Sequence, residues 1–567
     1  MKVWVFILCS LFTLPCWAQQ TQLPQDYFEK PLDIPLILSG TFGELRSNHF
    51  HSGMDIKTQQ RTGLPVFASA SGYVKRIKIQ RYGYGKALYI QHPNGYTTVY
   101  GHLSKFAPAI QKYVKEHQYE KEAYETQLFP GADELVVEQG KQVAFSGNSG
   151  GSGGAHLHFE IRDSQSRPMN PLLFGIDIED TKKPTVKSFY AYPLGEVSHI
   201  NGMTKRQRLR LIPLQNGEYR TETFTAFGEI GFGISAIDRL NFASNPNGLF
   251  EIKTILNGKT HFEVCFDKFS FGESGYINRF IDFAFYANHN QRIQQLFKQK
   301  NNPLSLIKQA EKDGVLTIKE DYDYSYKIKA LDFKGNETII NVPITVKKME
   351  DSVMQHPEPK KTPYFATADN ASVFEVEDFD IYIPKNALYD DTYLKIDPHS
   401  NQIRVGNKSI PLHKDMTIGF NVSQYNKADK QKLYIARMSD WGTPYYSSTY
   451  KKSNRFTTRT DDFGTYRLEM DTIKPEIRGV NVYAGKWMSK YNQLKISIDD
   501  KGSGIRSYRG TINGDFILME YDYKTHRLTY NFDDKVNTSE TENKLTVIVV
   551  DKVGNTSKFK TTFYRKN

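Results

Sequence analysis

Leu157, Phe159 and Ile161 alternate with His156, His158 and Glu160, the period-two pattern of a half-buried strand. The spacing predicts a strand that turns both histidines and the glutamate to one face and the apolar residues to the other. Between Ser104 and Asp133 the pattern changes. Pro108 opens a charged stretch carrying Ile110, Tyr113, Val114, His117, Tyr124 and Leu128, which predicts a helical insertion over about 105–132, either a lid or a flanking helix. Beyond Ile178, short alternating runs, abundant Tyr and Phe, and turns such as Asn257-Gly258 and Asn513-Gly514 predict β structure. Within it, residues 291–300, with Ile293, Leu296 and Phe297, and residues 304–312 read as helices. The expected fold class is therefore mainly β.

An internal echo divides the β-rich part. Asp180-Thr181-Lys182-Lys183-Pro184 recurs as Asp471-Thr472-Ile473-Lys474-Pro475, and Asp332-Phe333-Lys334-Gly335-Asn336 recurs as Asp551-Lys552-Val553-Gly554-Asn555. Each pair marks the start and the last hairpin of a β-sandwich that resembles bacterial immunoglobulin-like domains. The interval is longer in the first copy, which places a helical insertion at about 288–313. Pro357, Pro359 and Pro363, set among charged residues, mark a linker. The expected organisation is a signal segment over 1–18, a first domain over 19–178, an immunoglobulin-like domain over 179–348, a linker over 349–363, a β-rich accessory domain over 364–470 and a C-terminal immunoglobulin-like domain over 471–567. In the accessory domain Trp441, Tyr445 and Tyr446 form either a glycan-binding surface or, more often in a β-sandwich, core and edge packing.

The 567 residues suffice for several cores. The formal net charge is +11, but Lys and Arg are scattered and no nucleic-acid motif appears, so nucleic acid is excluded as a partner. Diffuse positive charge favours weak, salt-dependent contact with anionic envelope polymers. The apolar run from Val3 to Leu14, ending near Ala18, predicts a secretory signal cleaved before Gln19. Cys16 is a poor fit to a lipoprotein box. No later stretch is apolar enough to span a bilayer. With the signal removed only Cys265 remains, so no internal disulfide is expected despite an oxidising destination.

Three short clusters carry the chemistry: His51-Ser52-Gly53-Met54-Asp55, Tyr100-Gly101-His102-Leu103 and His156-Leu157-His158-Phe159-Glu160. A catalytic zinc takes three ligands from His, Asp, Glu or Cys and leaves a fourth position for water, and these clusters offer more than enough candidates. Gly53 between His51 and Asp55 points to a turn or strand end rather than a helix. Asp55 would be the single anionic ligand. No H-E-x-x-H signature supplies a glutamate base, so an imidazole is the expected proton carrier, and His102 and His156 are the candidates. The stretch Ser146-Gly147-Asn148-Ser149-Gly150-Gly151-Ser152-Gly153-Gly154 reads as a flexible loop beside the cleft or as a connector; it lacks the Lys-Ser/Thr of a phosphate-binding loop. His49, His92 and His117 read as surface residues.

The His51-x-x-x-Asp55 pair, the Tyr-x-His-Leu segment at 100–103 and the His-Leu-His-Phe-Glu run at 156–160 resemble the lysostaphin/LytM-type zinc endopeptidases of bacterial cell walls. So does the sequence from Tyr82-Gly83-Tyr84-Gly85-Lys86 to His92-Pro93-Asn94-Gly95, and the resemblance covers roughly residues 40–175. It implies that His51, Asp55 and His158 bind Zn2+, while His102 and His156 orient water and stabilise the oxyanion. It further implies an antiparallel β-sheet zinc peptidase domain with a narrow groove, followed by β-sandwich accessory domains. The implied function is a secreted zinc metalloendopeptidase that hydrolyses peptide bonds of peptidoglycan stems or cross-bridges; the alternative is a catalytically silent wall-binding or amidase-activator module. Peptidoglycan is the expected partner, with room for a cell-envelope protein partner, and the expected location is the periplasm or the cell surface and beyond. Because every site residue precedes residue 161, a fragment spanning 19–178 is expected to fold by itself.

Overall fold

The computed structural model describes residues 23–566 apart from 216, 321, 350–359, 533–534 and 536–539. The expected signal segment and most of the expected linker lie outside the described residues.

Alternation in the first domain resolves into one antiparallel sheet. Its strands are β1 (Leu38–Gly40), β2 (Met54–Lys57), β3 (Gly72–Ile79), β4 (Lys86–Gln91), β5 (Thr97–Gly101), β6 (Thr126–Leu128) and β7 (His156–Arg162), in the order β1-β2-β7-β5-β4-β3-β6. The central strand β7 buries Leu157, Phe159 and Ile161 completely in the core below the sheet. Period two then sends His156, His158 and Glu160 to the other face. Register decides what they meet. Pairing with β2 sets His158 opposite Asp55, and pairing with β5 sets it opposite Gly101. A three-stranded sheet of Pro65–Phe67, Gln142–Phe145 and Lys105–Phe106 lies beside it.

Helix α1 (Pro108–Glu120) starts at the expected proline, whose missing N–H costs nothing in a first turn, and it buries Ile110 and Val114. It is a flanking helix. Beyond its end Glu122 pairs with Arg509 at 2.6 Å, and Tyr119 packs edge-on to Phe516, so the insertion props the first domain against the last one.

The accessory region is built of further β-sheets, and the chain as a whole is mainly β. Residues 364–470 place two five-stranded sheets around one core, and the residues after 475 place a four-stranded and a five-stranded sheet around another. The helices expected over 291–300 and 304–312 are absent. Helices occupy Ile277–Phe280 and Phe283–His289 instead, and Asn290, in the left-handed conformation, ends the second of them. Gln294–Gln295 then pairs with the long strand Phe224–Ile237, and Ile307–Ala310 pairs with Lys259–Cys265. Ile293, Leu296 and Phe297 are buried, but on extended backbone whose hydrogen bonds are met by neighbouring strands.

Two more expectations are corrected. His92 is buried: its Nδ1 hydrogen-bonds the Ser71 carbonyl at 2.9 Å and its Nε2 lies 2.8 Å from Thr98 Oγ1. Trp441 is 94% exposed and Tyr445 61%, so neither packs in a core; Tyr446 stacks on Tyr434.

The first domain does not close on itself. Phe42 and Phe50 are buried in the core of the following domain, against Phe269 and, for Phe50, also Phe266 and Phe280. In exchange Leu240 and Ala243 of that domain enter the core of the first domain's sheet. Among the described residues, no helix is long and apolar enough to cross a membrane.

Candidate metal centre

β2, the segment just before it and β7 bring three ligand atoms together: the donor atoms of His51, Asp55 and His158 lie within 4.8 Å of one another. His51 Nε2 and His158 Nδ1 are 3.1 Å apart, and Asp55 Oδ1 lies 3.1 Å from the first and 2.9 Å from the second. All three residues are buried.

The opposite nitrogen of each imidazole is already committed. His51 Nδ1 donates to the Thr41 carbonyl at 2.8 Å, and His158 Nε2 donates to Glu160 Oε1 at 2.8 Å. That choice of tautomer leaves His51 Nε2 and His158 Nδ1 as free acceptors beside the Asp55 carboxylate, the arrangement by which outer partners orient metal-binding histidines. One anionic oxygen and two imidazole nitrogens suit a borderline-soft divalent ion such as zinc. Burial would lower the pKa of His158, but the hydrogen bonds to Asp55 and Glu160 outweigh it and raise it to about 9. Burial would raise Asp55, yet His51, His156 and His158 hold it well below the usual carboxylate range. A cation bound there would displace the proton that the raised pKa keeps on His158.

Glu160 carries more of the site than its place in the motif suggested. It is fully buried; Oε1 also accepts from Ser52 Oγ at 2.7 Å and Tyr84 OH at 2.5 Å, and Oε2 accepts from Arg162 Nε at 2.5 Å. Burial would raise its pKa, but Arg162 and then His158 hold it down, so it remains a carboxylate. The Tyr84 ring stacks on His158 with centroids 4.8 Å apart. Asp55 Oδ2 is met by Arg46 Nη2 at 3.2 Å, and Arg46 also binds Glu44. Period two already put Glu160 beside His158; the roles of Ser52, Tyr84 and Arg46 had no signal in spacing.

His102 and His156 complete the cluster, with ring centroids 4.7 Å apart. His102 adopts φ +58, a conformation L side chains seldom take, held by its N–H donating to the Tyr84 carbonyl at 2.9 Å. Its Nδ1 donates to the Ser149 carbonyl at 2.9 Å, and His156 Nδ1 donates to the Gly154 carbonyl at 2.9 Å. Both acceptors belong to the glycine-rich stretch. This loop is a structural cradle: Gly150, at φ +72, lies so close to the Tyr82–Lys86 turn that a Cβ would sit 2.3 Å from Gly85 N. His156 Nε2 lies 3.5 Å from Asp55 Oδ1. Burial, then the charges of His158 and His156, push His102 down to about 3, so its ring is neutral. A groove of about 870 Å³ opens beside His156, lined by Ile37, Ser39, Lys57, Gly154 and, from the next domain, Phe242.

Residues 49–119 match peptidase family M23, a span holding His51, Asp55 and His102. The chain carries an M23 peptidase domain. The chain is 31% identical to the DD-carboxypeptidase/endopeptidase Mpg of Neisseria meningitidis serogroup B over 147 residues, 26% of this chain and 28% of that protein. It is 35% identical to an uncharacterized metalloprotease of Haemophilus influenzae over 122 residues, 22% of this chain and 20% of that protein. It is 32% identical to the peptidoglycan DD-endopeptidase ShyA of Vibrio cholerae serotype O1, again over 122 residues and 22% of each chain. The match therefore spans under a third of these relatives' lengths. Separately, residues 363–471 match the Zu5-like domain.

Proposed function

We propose that this protein is an exported zinc metalloendopeptidase that hydrolyses peptide bonds of peptidoglycan stems or cross-bridges. The observation that carries the reading is the convergence of five side chains: three buried ligand atoms and two further imidazoles, each with its Nδ1 fixed by a loop carbonyl. His51 Nε2, Asp55 Oδ1 and His158 Nδ1 would hold the ion. Zinc supplies Lewis acidity toward a peptide carbonyl and its attacking water. With each Nδ1 engaged by a loop carbonyl, Nε2 is the nitrogen that His102 and His156 have left for chemistry, and one of the two would accept the proton of the attacking water. The imidazolium so formed donates to the developing oxyanion or to the leaving amine.

The wall substrate is supported by the M23 domain and by relatives whose names specify DD-endopeptidase activity. It requires export to the periplasm or cell surface, in keeping with the apolar run from Val3 to Leu14. A net charge of +11 favours contact with anionic envelope polymers. The later β domains, which resemble immunoglobulin-like modules in their echoed motifs, place the enzyme on the wall or on a protein partner.

The test is fragment release from purified sacculi and defined muropeptides, read by mass spectrometry. His102→Ala and His156→Ala are expected to keep their zinc and lose about a hundredfold or more in turnover. Variants as active as the wild type would remove both histidines from the chemistry. Zinc-loaded wild type that binds sacculi but releases no fragment would leave a silent wall-binding or activator module.

Glu160→Gln tests the outer shell. Losing the charge behind His158 is expected to weaken zinc binding about 10- to 100-fold, measured by competition with a chromophoric chelator. Unchanged affinity would reduce Glu160 to packing.

A further inference from the structure

The echoed Asp-Thr-x-Lys-Pro and Asp-x-x-Gly-Asn motifs take no part in the peptidase site, yet they meet in space. Asp180, Asp238 and Asp332 bring carboxylate oxygens within 4.8 Å of one another, and so do Asp471, Asp500 and Asp551 in the last domain. The separations along the chain differ between the copies, but the asparagine contacts do not. Asn336 N and Nδ2 donate to the two oxygens of Asp332 at 2.9 and 2.8 Å, and Nδ2 also reaches the Asp180 carbonyl at 3.3 Å. Asn555 does the same with Asp551, at 2.8 and 2.6 Å, and with the Asp471 carbonyl at 3.0 Å.

Chance acidic clusters lie in solvent; this one does not. Asp180 is 6% exposed and Asp238 2%, and Asp180 Oδ2 and Asp238 Oδ1 are buried without a hydrogen-bond partner. In the second cluster Asp500 is only half-buried, but its Oδ1 is enclosed and unpartnered. The nearby Lys182 Nζ donates to the Leu240 carbonyl and its charge offsets the burial of Asp238 only in part, and Lys334 pairs with Asp177. Three buried like charges with unmet lone pairs are costly without a counter-charge. Burial, and after it Asp180 and Asp332, push the pKa of Asp238 up to about 7.

We propose that each aspartate triad binds one calcium ion, which staples its β domain to the domain before it. An all-oxygen donor set selects a hard cation rather than zinc, and carboxylates with so little solvent exposure suit calcium better than magnesium, which gives up its hydration shell reluctantly. The location supplies the role. Asp180 follows Ile178, Asp238 precedes Leu240, and Asp332 precedes Phe333; those three apolar residues all pack on the peptidase core. The second triad repeats the placement: Asp471 N donates to the Lys432 carbonyl, and Val553, two residues past Asp551, packs on Tyr434 and Ala436 of the Zu5-like domain. A cation at each triad would hold these segments in register across a domain seam.

The experiment is equilibrium dialysis of the full-length, zinc-loaded protein with radioactive calcium, alongside thermal unfolding with and without calcium. Two calcium ions per chain are expected for the wild type, one for Asp238→Asn and none for Asp238→Asn with Asp500→Asn, while zinc stays at one per chain throughout. Calcium should raise the unfolding temperature of the wild type and not that of the double variant. A folded wild type that takes up no calcium at millimolar concentration overturns the proposal whatever the variants do, and equal uptake by wild type and double variant overturns the assignment of the sites. Competition by magnesium at equal concentration overturns the choice of ion. Because the readouts are binding and stability, failure here leaves the peptidase reading untouched, and loss of peptidase activity leaves this one untouched.

Discussion

His158→Ala is expected to leave the purified protein with little of its zinc and with no detectable release of wall fragments, and Asp55→Ala is expected to do the same. Each substitution removes one of three donors and orphans others. Without His158, Glu160 loses one of its hydrogen-bond donors while remaining fully buried, so a charge stays in the core with less to stabilise it. Without Asp55, Arg46 loses its second carboxylate, and the two imidazole nitrogens 3.1 Å apart lose the only anionic oxygen between them. Metal content per chain, measured by plasma mass spectrometry on folded protein, decides the matter. Full zinc occupancy in either variant would sink the ligand assignment, and His102→Ala, which is expected to retain the ion, is the control for general loss of structure.

The site was legible because a strand has a strict period. His156, His158 and Glu160 share a face for the same reason that Leu157, Phe159 and Ile161 share the core. What the spacing cannot give is register: that Asp55 stands across from His158, and that Gly101 does so from the other side, is set by strand pairing between residues far apart along the chain. The glycine-rich stretch reads as loose because glycine is permissive, whereas its glycines serve close approach to the Tyr82–Lys86 turn and its carbonyls aim two imidazoles. Residues 291–300 misled for a related reason, since an i, i+3, i+4 set of apolar residues is also met by a buried extended segment. Phe42 and Phe50 are hydrophobic, but nothing in a pattern says into whose core a residue turns.

That last point changes what a minimal M23 fragment will do. A fragment ending at Ile178 is expected to aggregate or to unfold at much lower temperature, while one extended to residue 349 stays monomeric and binds zinc. Cutting at 178 uncovers Phe42 and Phe50, whose burial contributes about 1.5–3 kcal/mol each, and strips Leu240 and Ala243 from the peptidase core. Losses of that size are a large share of the about 5–15 kcal/mol that holds an ordinary domain together. The damage also reaches the metal. Phe50 N donates to Ser274 Oγ at 2.9 Å, so the segment that presents His51 is fixed by the second domain. Even a soluble short fragment should therefore bind zinc more weakly than the longer one. Size-exclusion chromatography and zinc titration of both fragments test this directly. A monomeric short fragment with the zinc affinity of the longer one would show that the second domain only leans on the peptidase; failure of the short fragment alone would make the two a single folding unit, with the metal centre at its seam.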